Sequence, residues 1–192
     1  MALHSAPEFM ILLGINCGFS NRDCAALPRD GAIDLKRGWF DFSRPKTGIL
    51  RWGPLWPETV AALEAYIRPE SKDPEAAQCF FVTEYGNRYF SPGDKVYDPI
   101  SKQMSQLLRK LGIKRDGIGF QALRTTFRTR AGEARDKEAA DWIMGHTPPK
   151  TDMGESVYTV EFTEERLRHI TDHVYKWLFP SAELEVVDNQ AA

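Results

Sequence analysis

Apolar positions along this chain recur mostly at helical spacing, with one region where they alternate instead. Phe9 to Gly14 is an apolar, helix-compatible run. Ser20 or Asn21 is placed to cap a second short helix through Cys24-Ala25-Ala26-Leu27, which Pro28 ends. From Ala32 the period changes. Ile33, Leu35 and Trp39-Phe40-Asp41-Phe42-Ser43 read as short strands, and Lys46-Thr47-Gly48 as the turn of a hairpin returning through Ile49-Leu50-Arg51-Trp52. Pro57 opens an amphipathic helix carrying Val60, Leu63 and Ile67 that stops before Pro69.

A polar stretch, Glu70 to Ala76, leads to Phe80-Phe81-Val82-Thr83, expected to be a further strand followed by a turn at Tyr85 to Arg88. Ile100, Met104, Leu107 and Leu108 mark a helix ending at Gly112. In the next helix Phe120, Leu123 and Phe127 share a face, leaving Arg124 and Arg128 one turn apart on an adjoining one. Asp136 to Met144 is a helix stopped by Gly145, and Thr163 caps a last one with Leu167, Ile170, Val174 and Leu178. The expected fold class is therefore α+β, mainly α, with a small antiparallel β-sheet.

At 192 residues with 42% hydrophobic and 11% aromatic content, the chain suits one domain with a real core. That domain is expected over 1–179, with 180–192 as an acidic flexible tail. Phe9 to Leu13 is far shorter than the ~20 residues that cross a bilayer, and no basic region precedes it, so a cytoplasmic protein with no membrane partner is expected. Cys17, Cys24 and Cys79 match no metal spacing and are expected to be reduced and mostly buried. Neither a metal nor a cofactor is expected.

The net charge of −2 argues mildly against a nucleic-acid partner, but its distribution does not. Between Ser101 and Arg135 nine basic residues face two acidic ones, and between Lys36 and Arg51 five face one. The balancing acids sit at Glu161 to Glu165 and in the tail. Patches of one sign attract a polyanion even when the whole molecule is near neutral.

Three segments in order carry a resemblance: Gln121-Ala122-Leu123-Arg124-Thr125-Thr126-Phe127, then Ile143-Met144-Gly145-His146, then Val157-Tyr158. Together they resemble the tyrosine recombinase (phage integrase) family, whose pattern is H-x-x-R, then L-G-H, then a tyrosine. Arg44-Pro45-Lys46-Thr47-Gly48 resembles that family's lysine hairpin, Pro54-Leu55-Trp56-Pro57 its strand exit into a helix, and Gly14 to Leu27 its opening helix pair. The likeness spans roughly residues 9 to 179.

The resemblance implies a helical catalytic domain in which a tyrosine oxygen attacks a DNA phosphodiester, giving a 3′-phosphotyrosine and a free 5′-hydroxyl. Tyr158 would be the nucleophile, Arg124 and His146 the phosphate donors, and Lys46 the proton donor to the leaving oxygen. Double-stranded DNA would be the partner, with a homotetramer assembled on it and no small-molecule substrate. Arg109, Lys110, Lys114, Arg115 and Arg128 are the expected DNA-binding residues. Each residue alone has an ordinary reading, Arg124 as a solvated charge, Lys46 as surface, His146 at a helix dipole, Tyr158 as core. Their joint occurrence in family order is harder to explain that way.

The sequence also departs from the pattern. Ser20 stands where the family's first arginine should follow Gly18-Phe19, and Gln121 replaces the histidine of H-x-x-R. Thr147 to Val157 makes a longer lead-in to the tyrosine, stiffened by Pro148 and Pro149. Losing one preorganised donor typically costs ~10²–10³ in rate. Arg22 and Arg44 are candidates to substitute for the missing arginine. Only about eight residues precede the first helix, so the catalytic domain is expected without the helical clamp domain that such recombinases place before it. The alternatives are an integrase descendant that binds DNA without cutting it, and an interaction protein with no nucleic-acid partner.

Overall fold

The structure is a computed structural model that describes residues 6–90, 98–146 and 162–180. Its elements run α1 (Ala6–Asn16), α2 (Asn21–Ala25), β1 (Ile33–Asp34), β2 (Trp39–Asp41), β3 (Trp52–Pro54), α3 (Pro57–Glu64), α4 (Pro74–Ala77), α5 (Pro99–Lys110), α6 (Gln121–Glu133), α7 (Lys137–Met144) and α8 (Glu164–Leu178). The strands form an antiparallel sheet in the order β1-β2-β3, with Phe40 opposite both Ile33 and Gly53. This is the α+β, mainly helical architecture expected, and Lys46 lies in the connection between β2 and β3.

Local chemistry sets the helix ends. Ser20 caps α2: its hydroxyl accepts from the Asp23 amide while the Asp23 carboxylate accepts from the Ser20 amide, a reciprocal box that satisfies two end donors. Asp98, Asp136 and Thr163 cap α5, α7 and α8 through side-chain oxygens. Pro57 occupies the first turn of α3, where a missing N–H costs nothing. Gly145 ends α7 in the left-handed conformation, φ 62°, which a side chain would strain.

The core forms where α1 packs on α6 and α3, α6 on α8, and α8 on β3. Met10, Leu13, Phe127, Ile143, Leu167, Ile170 and Val174 are fully buried there. Asn16, also buried, joins α1 to the sheet: its Nδ2 donates to Pro54 O at 3.2 Å and its Oδ1 accepts from Trp56 N at 2.8 Å. Trp56 in turn donates from Nε1 to Thr171 O in α8 at 3.1 Å. The end of β3 is thereby fixed from both sides, which anchors the hairpin carrying Lys46.

Two expectations are corrected. Phe80 to Thr83 is not a strand. Cys79 makes a single bridge to Pro28, Phe80 N donates to Leu27 O, and the Phe80 and Phe81 rings pack against Tyr66. The run is apolar because it is buried against aromatics, not because it pairs along a ladder. The polar stretch before it holds a helical turn, α4, capped by Asp73 and started by Pro74. Cys17 and Cys24 are buried and free, whereas Cys79 is half-exposed. The expected tail beyond Pro180 lies outside the described residues.

Candidate active site

Four segments meet at Gly145: the α1–α2 turn, the β2–β3 connection, α6 and the end of α7. Gly18 takes φ 62°, and a Cβ there would come within 2.9 Å of the Phe127 ring, so the turn passes directly against α6. This close approach puts the Gly18 carbonyl within reach of Arg124, whose Nη1 donates to it. Arg124 Nη2 donates to Met144 O at 3.0 Å and meets His146 Nε2 at 2.7 Å. Arg124 is only 4% exposed, although it lies on the face that sequence periodicity sets beside the apolar one. Arg128, one turn on, is exposed.

His146 is half-buried, and its Nδ1 lies 2.9 Å from Asp141 Oδ1. A guanidinium can only donate, so Nε2 must be the acceptor of the Arg124 contact and Nδ1–H the donor to Asp141. The imidazole is neutral in this arrangement. Burial pushes its pKa below the ordinary 6.5, reinforced by the Arg124 charge and opposed by Asp141.

Arg44 and Arg51 complete the cluster. Arg44 Nη1 donates to Gly145 O at 3.3 Å. A Cβ on Gly145 would come within 3.0 Å of both the Arg44 and the Arg51 side chains, so glycine here serves close packing as well as the turn. Arg51 is fully buried. Its Nε donates to Phe42 O at 3.0 Å, its Nη2 pairs with Asp23 Oδ1 at 3.0 Å, and its guanidinium lies 4.3 Å from the Phe19 ring centre. The other Asp23 oxygen stands 3.9 Å from Arg124 Nη1. Burial and the neighbouring Arg44 charge lower the Arg124 pKa to about 10, against the pull of Asp23, and burial lowers that of Arg51.

Positive charge thus exceeds negative in this interior. Arg51 and Arg124 share the buried carboxylate of Asp23, Arg44 packs beside them against Gly145, and Arg51 Nη1 and Arg44 Nε have no hydrogen-bond partner among the described residues. Cations gathered at one point attract an anion, and Arg44 is the least buried of the three.

The structure brings Arg124, His146 and Arg44 together. Arg22 is exposed, with its guanidinium over the Phe90 ring at 4.4 Å rather than in this cluster. Lys46 is exposed in its turn, and Gln121 is exposed at the start of α6. Tyr158 lies outside the described residues. Arg109 and Lys110 project from the last turn of α5, Arg115 is exposed just beyond, and Lys114 Nζ donates to the carbonyls of Arg115 and Ile118, stapling the loop that leads into α6.

Sequence reasoning missed Arg51, Asp23 and Asp141. Arg51 carried a signal: a lone charge inside the apolar return Ile49-Leu50-Arg51-Trp52-Gly53 is either an exposed edge residue or a buried ion. Among the described residues no three His, Cys, Asp or Glu side chains are grouped to hold a metal ion, and no helix is long and apolar enough to cross a membrane.

The fold is tyrosine recombinase-like. Solved structures that share it include an integrase from mycobacterium phage Brujita, with TM-score 0.52 and 15% identity over 91% of this chain and 52% of that one, and a XerA recombinase, with TM-score 0.56 and 16% identity over 90% and 56%. The chain thus spans about half the length of each, and at these identities the likeness is one of fold. No protein-family model and no curated protein matches the sequence.

Proposed function

We propose that the protein binds double-stranded DNA and cleaves and rejoins it through a 3′-phosphotyrosine intermediate, in site-specific recombination or integration. The observation that carries this reading is the excess of buried cationic groups around Gly145, with Arg124 in contact with His146. A backbone phosphate in transfer needs such a constellation, because its equatorial oxygens gain negative charge as the new bond forms. In this reading the Tyr158 oxygen, its proton released to water, bonds to phosphorus as the bond to the 5′-oxygen breaks, and Lys46 protonates that leaving oxygen. Arg124 and Arg44 hold the non-bridging oxygens, joined by His146 once its ring takes up a proton and Nε2 becomes a donor. Gln121 adds a neutral hydrogen bond at most.

Residues 1–179 form the recombinase-like unit in this reading, 180–192 an acidic tail, and the site of action is cytoplasmic. Arg109, Lys110, Lys114, Arg115 and Arg128 track the DNA backbone, and copies of the chain assemble as a tetramer on it. One observation favours a second reading, DNA binding without cleavage. Ser20, at the family's arginine position, has its hydroxyl committed to Asp23 at 2.7 Å and cannot supply the missing charge. A suicide duplex that traps the covalent intermediate separates the two. Cleavage predicts a protein–DNA adduct in wild type that Tyr158→Phe abolishes while keeping DNA affinity within about 1 kcal/mol, since one hydroxyl adds little to a charge-dominated interface. Equal adducts in both proteins would remove Tyr158 from its role, and none in either, with DNA still bound, would leave the binding reading.

A further inference from the structure

Asp23 is the buried carboxylate between two buried guanidinium groups, and it is not shared equally. Arg51 Nη2 is in hydrogen-bond contact with it at 3.0 Å, whereas Arg124 Nη1 stands off at 3.9 Å. Arg51 has no route to solvent or to DNA, being fully buried under Phe19 with Phe42 O on its other side. Its charge is not available to a phosphate, yet burying it is costly unless it does something for its neighbours. Asp23 is also fixed from the opposite side, because its second oxygen accepts from both Ser20 N and Ser20 Oγ at 2.7 Å.

We propose that Arg51 is a positioning residue that absorbs the charge of Asp23, so that Arg124 stays free to give its own charge to a DNA phosphate. Without Arg51, the buried carboxylate has Arg124 as its nearest cation. A shift of under an ångström would close that pair and neutralise the phosphate-binding arginine from behind. Arg51 therefore acts on DNA through Asp23 and Arg124, never directly. This rests on the reading of Arg124 as a phosphate donor.

The test uses the full 192-residue chain and a labelled DNA duplex, with affinity measured across a range of salt concentrations. Arg51→Met should weaken binding about tenfold at low salt, the scale of one charge-assisted hydrogen bond. It should also lower the slope of log affinity against log salt by ~0.9, as expected when one phosphate fewer is neutralised. Adding Asp23→Asn to Arg51→Met should restore both, because the carboxylate that captures Arg124 is then gone. A merely structural arginine would show no such rescue. Asp23→Asn alone keeps a capping side chain and should bind within about threefold of wild type.

A folded Arg51→Met protein that binds like wild type overturns the proposal, as does a double variant no better than Arg51→Met. Should Arg51→Met fail to fold, Arg51→Gln, which keeps a hydrogen-bonding side chain without the charge, carries the test: a tenfold loss restored by Asp23→Asn is expected, and wild-type binding or no rescue overturns it. Wild type without salt-dependent DNA binding overturns the functional reading, and this one falls with it. Failure confined to the variants overturns this one alone.

Discussion

Two arginine–carboxylate clusters in this molecule use the same chemistry to opposite ends. At the start of α7, Arg166 from α8 binds Asp136 with two hydrogen bonds, Nε at 2.5 Å and Nη2 at 2.7 Å, and adds Glu138 at 3.0 Å. One cation there faces two carboxylates at the surface, with Arg166 and Asp136 partly exposed and Glu138 exposed. At the other end of the same helix, Arg44, Arg51 and Arg124 gather about Gly145 with one buried carboxylate between them. The pKa shifts differ too, from hydrogen bonding in the first cluster and from burial first, neighbouring cations second, in the other. Arg166 is pushed up and Asp136 down by their mutual contact, whereas Arg124 and Arg51 are both pushed down. The first cluster has no cation to spare for an anion and docks α8 on α7. The second holds more cations than carboxylates and remains open to an anion.

The contrast is broken most sharply by truncating each arginine. Arg124→Ala should lower the rate of covalent adduct formation by ~10²–10³, the usual cost of one preorganised donor, while Arg166→Ala should leave it nearly unchanged. Single-turnover trapping on the suicide duplex measures both. An Arg124→Ala protein of wild-type rate would mean that the open cluster is not the reacting site.

Stability gives the next largest difference. Arg51→Met strands a carboxylate in the interior and should cost about 3 kcal/mol, the low end for a broken buried pair because Arg124 can close in. Arg166→Met removes a surface interaction and should cost no more than about 1 kcal/mol, discounted by solvent screening. Urea unfolding of the two variants compares them directly. Equal losses would show that burial does not separate the two clusters.

A smaller effect is expected from the outer basic surface. Reversing Arg109, Lys110, Lys114 and Arg115 together should weaken DNA binding across all sequences and flatten its salt dependence, because a protein that neutralises fewer phosphates releases fewer counterions. Unchanged binding would confine the DNA interface to the Gly145 cluster.

Most of the fold was legible because helix periodicity and end signals are local. Pro57, Thr163 and Gly145 each act through a neighbouring turn, so their meaning is visible in the sequence. Phe80 to Thr83 reads as a strand because an apolar run of that length fits either a ladder or a buried coil, and the choice lies with Tyr66 and Pro28, elsewhere in the sequence. The same limit applies to the site. Arg124 and His146 stand in motifs with a recognisable order, but the pairing of Arg51 with Asp23 joins residues 28 positions apart and needs the α1–α2 turn to lie against the sheet. Arg22 and Arg44 looked equivalent from spacing alone. Phe90 holds the first outside the cluster, and the Gly145 carbonyl draws in the second.

The smallest predicted effect concerns His146 and tests how the open cluster receives its anion. With Nε2 accepting from Arg124 and Nδ1–H directed at Asp141, the ring is neutral and its pKa lies below 6.5. The groups that face it are Arg124, Asp141 and Arg44, two cations against one carboxylate. A phosphate entering beside Arg124 offsets that excess of positive charge and favours a protonated ring that donates from both nitrogens. DNA binding should then take up a proton, so affinity rises as pH falls from about 7.5 toward 6, by up to a fewfold. Stability runs the other way. Below the unfolded pKa near 6.5 the unfolded chain binds a proton that the folded state resists, so His146 makes the free protein less stable as pH falls through that value and toward the lowered folded pKa. His146→Gln, which keeps a hydrogen-bonding side chain but cannot titrate, should remove both trends. Affinity measured against pH for wild type and His146→Gln decides the matter: parallel curves would show that the histidine stays neutral on DNA, and that Arg124 and Arg44 carry the phosphate without it.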